Sequence, residues 1–276
     1  MDNTFRLSNG VTIPAVGYGS FLSTEKNGIQ TIKDALDAGY RYIDTAMFYR
    51  NEHEIGQAIA EYGIDRRELF ICSKVWPTEL GEDKTAASFE QSCKALGTDY
   101  LDMFLIHWPR ADQSQGWEKP LAEGWRAMEK LYNEGRVRAI GLSNFLPHHI
   151  RPLLMTAEIR PMLDQLELHV GYMQEYALAY LREQNILPQA WSPLGRGRLI
   201  GDERITALAE KYGVTNAQIL LGYLVQRGIP VIPKASSPQR MKENLDISGF
   251  ELTEDEISYL SCLPETGWSG EHPDMK

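Results

Sequence analysis

Four residues able to hold or move a proton stand at or near the ends of short apolar runs: Asp44, Tyr49, Lys74 and His107. Asp44 closes the run 41–44, Lys74 closes 69–74, His107 follows 101–106, and Tyr49 lies five residues beyond Asp44. A lysine ammonium beside a phenol favours phenolate and is expected to lower the tyrosine pKa from about 10. Asp44 would pair with Lys74, because an unpaired buried charge costs several kcal/mol. Tyr49 then becomes the proton donor, with His107 orienting or polarising a carbonyl. No Ser or Cys stands beside a base in these motifs, which weakens acyl transfer as a reading. A proton donor without a nucleophile or metal suits carbonyl reduction or isomerisation, and reduction needs a hydride carrier. Each residue alone has a plainer account: a turn cap, an exposed loop lysine, a satisfied core histidine, a packing aromatic. Their coincidence at three adjacent strand ends gives the set its weight.

The elements that must bring them together follow a regular rhythm. A hairpin is expected from 5–7 and 11–13 around Asn9-Gly10, a two-residue turn signal. Apolar runs follow at 16–19, 41–44, 69–74, 101–106, 137–141, 163–166, 187–191 and 229–232. Helical stretches alternate with them near 25–38, 52–62, 83–96, 121–134, 147–157, 173–184, 202–212 and 238–246. Gly39, Gly63, Gly97, Gly135 and Gly213 stand at the expected helix stops. Two further helices are expected near 216–227 and 253–262, the latter opening on the capping box Thr253-Glu-Asp-Glu256. Eight strand–helix units in series predict an α/β fold, a closed (β/α)8 TIM barrel whose site lies at the C-terminal strand ends. The rival doubly wound sheet needs a Gly-rich first turn, and Gly17-Tyr-Gly19-Ser-Phe lacks the third glycine. No linker or charge block divides the chain, so one domain over 1–276 is expected.

The loops after the seventh and eighth strands supply an anion site, as this fold often does. Ser192-Pro-Leu-Gly-Arg196-Gly-Arg198 follows one, and Lys234-Ala-Ser-Ser237-Pro238-Gln-Arg240 follows the other. Ser237 reads as an N-cap and Pro238 as the first helical residue, so free N–H groups join Lys234 and Arg240. The plainer account is a solvated helix start. Trp191 is either core filler or a face for an aromatic ring.

The chain has 276 residues and a net charge of −10, with 43% hydrophobic and 24% charged residues. Its mean hydropathy is −0.35. These values exclude disorder, collagen and coiled coil, and the acidity argues against a nucleic-acid partner. No apolar run reaches membrane-spanning length and no secretory leader is visible, so a cytoplasmic protein is expected. Cys72, Cys93 and Cys262 stand far apart and read as reduced thiols. No metal-ligand spacing appears. His148 and His149 are adjacent and are not expected to converge on one helix face.

The chain resembles the aldo-keto reductase family over nearly its whole length. The resemblance rests on Gly39-Tyr-Arg-Tyr-Ile-Asp44-Thr-Ala with Tyr49, Ser73-Lys74, Leu105-Ile-His107-Trp-Pro109 and Ile140-Gly-Leu-Ser143-Asn144-Phe. Trp191-Ser-Pro-Leu and Ile232-Pro-Lys234 with Arg240, Glu243 and Asn244 complete it. It looks most like the short bacterial branch that includes 2,5-diketo-gluconate reductases. The resemblance implies an NADPH-dependent reductase of small-molecule aldehydes and ketones, expected to be a monomer. Carried over, Tyr49 is the proton donor, Asp44 and Lys74 tune it, and His107 orients substrate. Ser143, Asn144 and Gln165 match the positions that hold the carboxamide, and Trp191 matches the nicotinamide stacker. Lys234 and Arg240 match the 2′-phosphate clamp, and Glu243 and Asn244 the adenine contacts. Ser192, Leu194 and Ser236 fall in the same cofactor-binding stretches. Phe21, Trp76, Trp108 and Trp268 resemble substrate-pocket aromatics. The chain departs from the family pattern at Ala235, where many members have Ser, at Asp164 before Gln165, and at His169-Val170. Two rivals stay open: a barrel that binds NADPH as a regulatory subunit, and a phosphate-binding isomerase that binds none.

Overall fold

The computed structural model describes residues 4–24, 27–112 and 116–275. The start of the helix expected at 25–38 and part of the loop at 111–119 fall outside them. Strands β1 (Thr4–Arg6) and β2 (Thr12–Pro14) pair antiparallel, Phe5 opposite Ile13. The turn is longer than the two residues expected. Leu7 N donates to Val11 O at 2.8 Å, enclosing Ser8, Asn9 and Gly10, and Gly10 adopts a φ of 91°. Glycine suits that left-handed position because it has no Cβ.

Seven strands then pair in parallel in chain order: β3 (Tyr18–Gly19), β4 (Tyr42–Asp44), β5 (Phe70–Val75), β6 (Met103–Ile106), β7 (Ile140–Ser143), β8 (Leu163–Glu167) and β9 (Leu187–Trp191). The eighth run, 229–232, does not form a full strand. Val231 alone bridges Val16 on one side and Ala190 on the other. Pro230 and Pro233 flank it and have no N–H to extend the ladder. The ring still closes: Gly17 N donates to Val231 O at 2.8 Å, Val231 N to Ala15 O at 2.8 Å, and Ile232 N to Ala190 O at 3.1 Å. Closure brings backbones so near that a Cβ at Gly19 would sit 2.6 Å from the Ile232 carbonyl oxygen. Gly19 therefore serves barrel closure, while Gly17 leaves room for the Tyr42 ring, which a Cβ there would approach to 2.6 Å. The fifth strand begins later than expected, because Val137 makes only an isolated bridge to Leu101.

Around the sheet lie α1 (Gly28–Ala38), α2 (Glu52–Tyr62), α3 (Glu82–Leu96), α4 (Glu118–Asn133), α5 (Pro147–Leu154), α6 (Glu175–Glu183), α7 (Glu203–Tyr212), α8 (Asn216–Gln226), α9 (Pro238–Leu245) and α10 (Glu254–Ser261). Glycines end α1, α2, α3 and α7 where expected, and Thr253 and Glu256 form the capping box of α10. Apolar faces of these helices cover the outside of the strands, so each strand is buried on both sides. No helix among the described residues is long and apolar enough to cross a membrane.

Asp102, just before β6, anchors the N-terminal end of the barrel. It is fully buried and pairs with Arg66 at 2.8 Å and Arg138 at 2.7 Å, while Ile71 N donates to it at 2.9 Å. Asp102→Ala is expected to cost roughly 3 kcal/mol, because the Ile71 N–H and two guanidinium groups lose their acceptor. Thermal melting should show a drop of about 6–12 °C, with the turnover of the folded fraction preserved.

Candidate active site

The C-terminal ends of β4, β5 and β6 converge as their polar residues require. Lys74, on β5, is fully buried and makes three contacts: Asp44 Oδ1 at 2.6 Å, Thr45 O at 2.9 Å and Tyr49 Oη at 3.5 Å. These match the three hydrogens of an ammonium. Burial opposes the lysine charge most strongly of any single influence, but Asp44 first, then Tyr49 and Cys72, together outweigh it and raise the Lys74 pKa. Tyr49 ends a 3-10 turn, Met47–Tyr49, which Arg50 terminates in the left-handed region at φ 56°. Asn51, the next residue, was not singled out by sequence. Its Nδ2 donates to Ser20 O at 2.9 Å and its Oδ1 accepts from Thr45 Oγ1 at 2.8 Å, tying the Tyr49 loop to two strand ends.

The expected lowering of the Tyr49 pKa does not occur. Burial pushes the phenol up to about 12; Lys74 pulls it down, while Asp44 pushes it up. The net effect keeps the hydroxyl protonated, the state a proton donor needs. His107 stands edge-on to Tyr49, with ring centroids 5.5 Å apart, and edge-on to Trp76 at 5.2 Å. Phe48, also missed, stacks on Trp76 at 4.0 Å with planes 12° apart, and Phe21 lies 4.9 Å from the Tyr49 ring.

Beside this cluster Ser143, Asn144, Gln165 and Trp191 form a second set. Ser143 Oγ donates to Gln165 O at 3.0 Å. Asn144 Nδ2 donates to His107 O at 3.0 Å and to Ser143 Oγ at 3.1 Å, and Trp191 Nε1 donates to Asn144 Oδ1 at 2.8 Å. Gln165 Nε2 donates to Asp44 Oδ2 at 2.8 Å and to Gln189 Oε1 at 2.9 Å. The amide hydrogens of Asn144 and Gln165 and the Ser143 hydroxyl hydrogen are thus engaged. What remains to face the cavity is acceptor capacity, suited to an NH2 group.

A cavity of about 1100 Å³ runs from Phe21, Phe48 and Trp76, past Tyr49 and Trp191, to Arg240 and Asn244. The volume suits a dinucleotide together with a small substrate. Every residue expected from the cofactor resemblance lines it: Ser143, Asn144, Gln165, Trp191, Ser192, Leu194, Lys234, Ser236, Arg240, Glu243 and Asn244. At its far end Ser237 caps α9, with Pro238 at the first position and Arg240 N donating to Ser237 Oγ at 3.4 Å. Trp108 also lines the cavity, but Trp268 does not: its ring stacks on Tyr172, 6.2 Å away. Arg196, on the loop expected to contribute to the anion site, lines the cavity and pairs at 2.6 Å with Glu271, which was not expected there.

His148 and His149 do converge, contrary to expectation. Their Nε2 atoms lie 3.1 and 2.9 Å from Asp274 Oδ1 on the C-terminal segment. His149 Nδ1 accepts from Leu146 N at 3.1 Å, so Nε2 carries the hydrogen and donates to Asp274. Burial, then His148, hold the His149 pKa down to about 4, consistent with a neutral ring. That tautomer offers no lone pair to a cation at Nε2, and Arg110 also reaches the Asp274 carboxylate at 3.2 Å. The trio docks the C-terminal segment.

A parallel barrel with an Asp–Lys–Tyr–His cluster at its C-terminal mouth and a cavity leading to a helix N-terminus defines a class of barrel oxidoreductases. The aldo/keto reductase family model matches residues 16–263, and the chain belongs to that family. It is 42% identical over 275 residues to the glyoxal reductase of Bacillus subtilis, covering 99% of this chain and 97% of the relative. Among solved structures, an aldo/keto reductase from Brucella melitensis matches with a TM-score of 0.88 at 38% identity, covering 94% of this chain and 98% of that one. The Bombyx mori aldo-keto reductase in complex with NADP matches with a TM-score of 0.85 at 34% identity, over 94% and 91% of the two chains.

Proposed function

We propose that the chain is a single-domain, NADPH-dependent reductase of aldehydes and ketones in which Tyr49 delivers the proton. The observation that carries this reading is the buried Lys74 bonded to both Asp44 and the Tyr49 hydroxyl, beneath the floor of a cavity of about 1100 Å³ that Asp44 and Tyr49 line. When bound, NADPH supplies the hydride. Ser143, Asn144 and Gln165 offer acceptors to the carboxamide NH2, and Trp191 gives the ring a face. Lys234, Arg240 and the α9 N-terminus receive the 2′-phosphate. Tyr49 and His107 meet the carbonyl oxygen, and as the alkoxide forms the phenol gives up its proton while Lys74 stabilises the phenolate. Phe21, Phe48, Trp76 and Trp108 form an apolar mouth that suits an uncharged carbonyl. Trp268, packed on Tyr172, is left out of the substrate pocket.

Purified protein, NADPH and a panel of aldehydes and ketones, followed by absorbance at 340 nm, test the reading. Carbonyl-dependent NADPH oxidation with stoichiometric alcohol is expected. NADPH binding without turnover would favour the regulatory-subunit reading, and no binding would favour the isomerase.

Cofactor choice adds a further prediction. Arg240→Ala is expected to weaken NADPH binding about tenfold or more and leave NADH nearly unchanged, because only the 2′-phosphate meets that guanidinium. The salt sensitivity of NADPH binding should fall with it. Titrating both cofactors by tryptophan fluorescence checks this; equal weakening of both would make Arg240 structural.

A further inference from the structure

A chain of buried polar groups crosses the barrel beneath the cavity floor. Tyr42, on β4, donates its hydroxyl to Gln189 Oε1 at 3.1 Å. Gln165 donates one Nε2 hydrogen to the same oxygen at 2.9 Å and the other to Asp44 Oδ2 at 2.8 Å. Gln165 and Gln189 are direct partners in the β8–β9 ladder, so their side chains project side by side into the barrel. Tyr42 and Gln189 are fully buried and do not line the cavity.

The donor directions fix this chain. Gln165 Nε2, whose other hydrogen goes to the Asp44 carboxylate, points at Gln189 Oε1, so a flipped Gln189 amide would set its NH2 against that NH2; the Tyr42 hydroxyl adds a second donor to the same oxygen. Gln189 Nε2 has no hydrogen-bond partner among the described residues, so the oxygen alone orients the group. Gln165 in turn has an acceptor for each of its two amide hydrogens. One acceptor would leave the amide plane free to turn about the remaining bond; two hold both the plane and the sense of the amide.

We propose that Gln189, aligned by Tyr42, is a positioning residue for the nicotinamide seat. It pins the second N–H of Gln165, holding Gln165 Oε1 as an acceptor for the carboxamide NH2. The site thereby distinguishes a carboxamide from an analogue without N–H. This inference rests on the reading of Ser143, Asn144 and Gln165 as that seat.

The test compares binding of NADP+ with that of its 3-acetylpyridine analogue, in which a methyl replaces the NH2, by quenching of tryptophan fluorescence. Wild type is expected to bind the analogue about tenfold more weakly, the worth of one or two hydrogen bonds. Gln189→Met keeps the side-chain length and removes the acceptor. It is expected to weaken NADP+ about fivefold and the analogue hardly at all, so the ratio collapses. Tyr42→Phe removes one hydroxyl and keeps the ring; it should move the ratio the same way by about twofold, and it decides the matter if Gln189→Met does not fold. Equal binding of both ligands by wild type overturns the seat itself. A wild-type ratio that survives in the variants, or equal weakening of both ligands, overturns the role of Gln189 while leaving the seat intact.

Discussion

Tyr49→Phe is expected to reduce the rate of carbonyl reduction by about 10²–10⁴-fold, the worth of a positioned general acid, while NADPH affinity stays close to wild type. The phenylalanine keeps the ring that packs against Phe21 and His107, so the fold of the loop is preserved. Only the hydroxyl near Lys74 is lost. Its protonation also fixes the pH dependence. Burial holds the phenol up to about 12, above the ordinary tyrosine value. Reduction uses the protonated form, so kcat should be flat through neutral pH and fall only as rising pH ionises the phenol. The variant should lose that alkaline limb along with the rate. Measuring kcat and NADPH Kd across pH for both proteins checks the pair of expectations. A variant keeping most of the wild-type rate on an unactivated aldehyde would rule out Tyr49 as the donor.

The placement of Asp44, Lys74 and His107 was legible because a charged or polar residue ending an apolar run has few reasons to be there in a doubly covered strand. The same logic extends to Gln189, a polar residue inside a buried run between Pro188 and Ala190. Asn51, by contrast, was hidden. As the residue before α2 it reads as an ordinary cap, yet its side chain bonds across the barrel mouth to Ser20 and Thr45. Such long-range partners leave no local pattern. The direction of the Tyr49 pKa also escaped, since pairing with Lys74 is implied by residue types whereas the depth of burial is not. His148 and His149 show how a periodicity rule fails at a helix end. They occupy the first turn of α5, after Pro147, where both rings reach a segment lying across the helix start. The eighth strand shrank to one bridging residue because of prolines plainly present in the sequence, Pro230 and Pro233. Aromatic type alone did not separate Trp76, which lines the cavity, from Trp268, which packs on Tyr172.

Lys74→Met tests the same cluster through charge and stability together. Lys74 has no solvent exposure, and Asp44, at 1%, is left with uncharged partners, the Gln165 amide and the neighbouring Cys72 thiol, once the ammonium is gone. Breaking one side of a buried pair costs roughly 3–5 kcal/mol, largely from the charge left behind. A fall in Tm of about 6–20 °C is therefore expected for a chain of this size. Activity should fall as well. The phenol loses the one neighbour that pulls its pKa down, so proton release from Tyr49 becomes harder. The two losses can be separated by removing the stranded charge. The double variant Asp44→Asn with Lys74→Met keeps a side-chain oxygen at position 44 for the Gln165 amide and carries no unpaired ion. It should recover most of the lost Tm, because deleting both partners of a buried pair costs far less than deleting one. It should not recover turnover, since no ammonium faces the phenolate. Thermal melts and kcat for wild type, the single variant and the double variant decide it. A Lys74→Met protein as stable and as active as wild type would contradict the pairing. A double variant that regains activity along with Tm would show that Lys74 supports the fold and leaves the proton transfer alone.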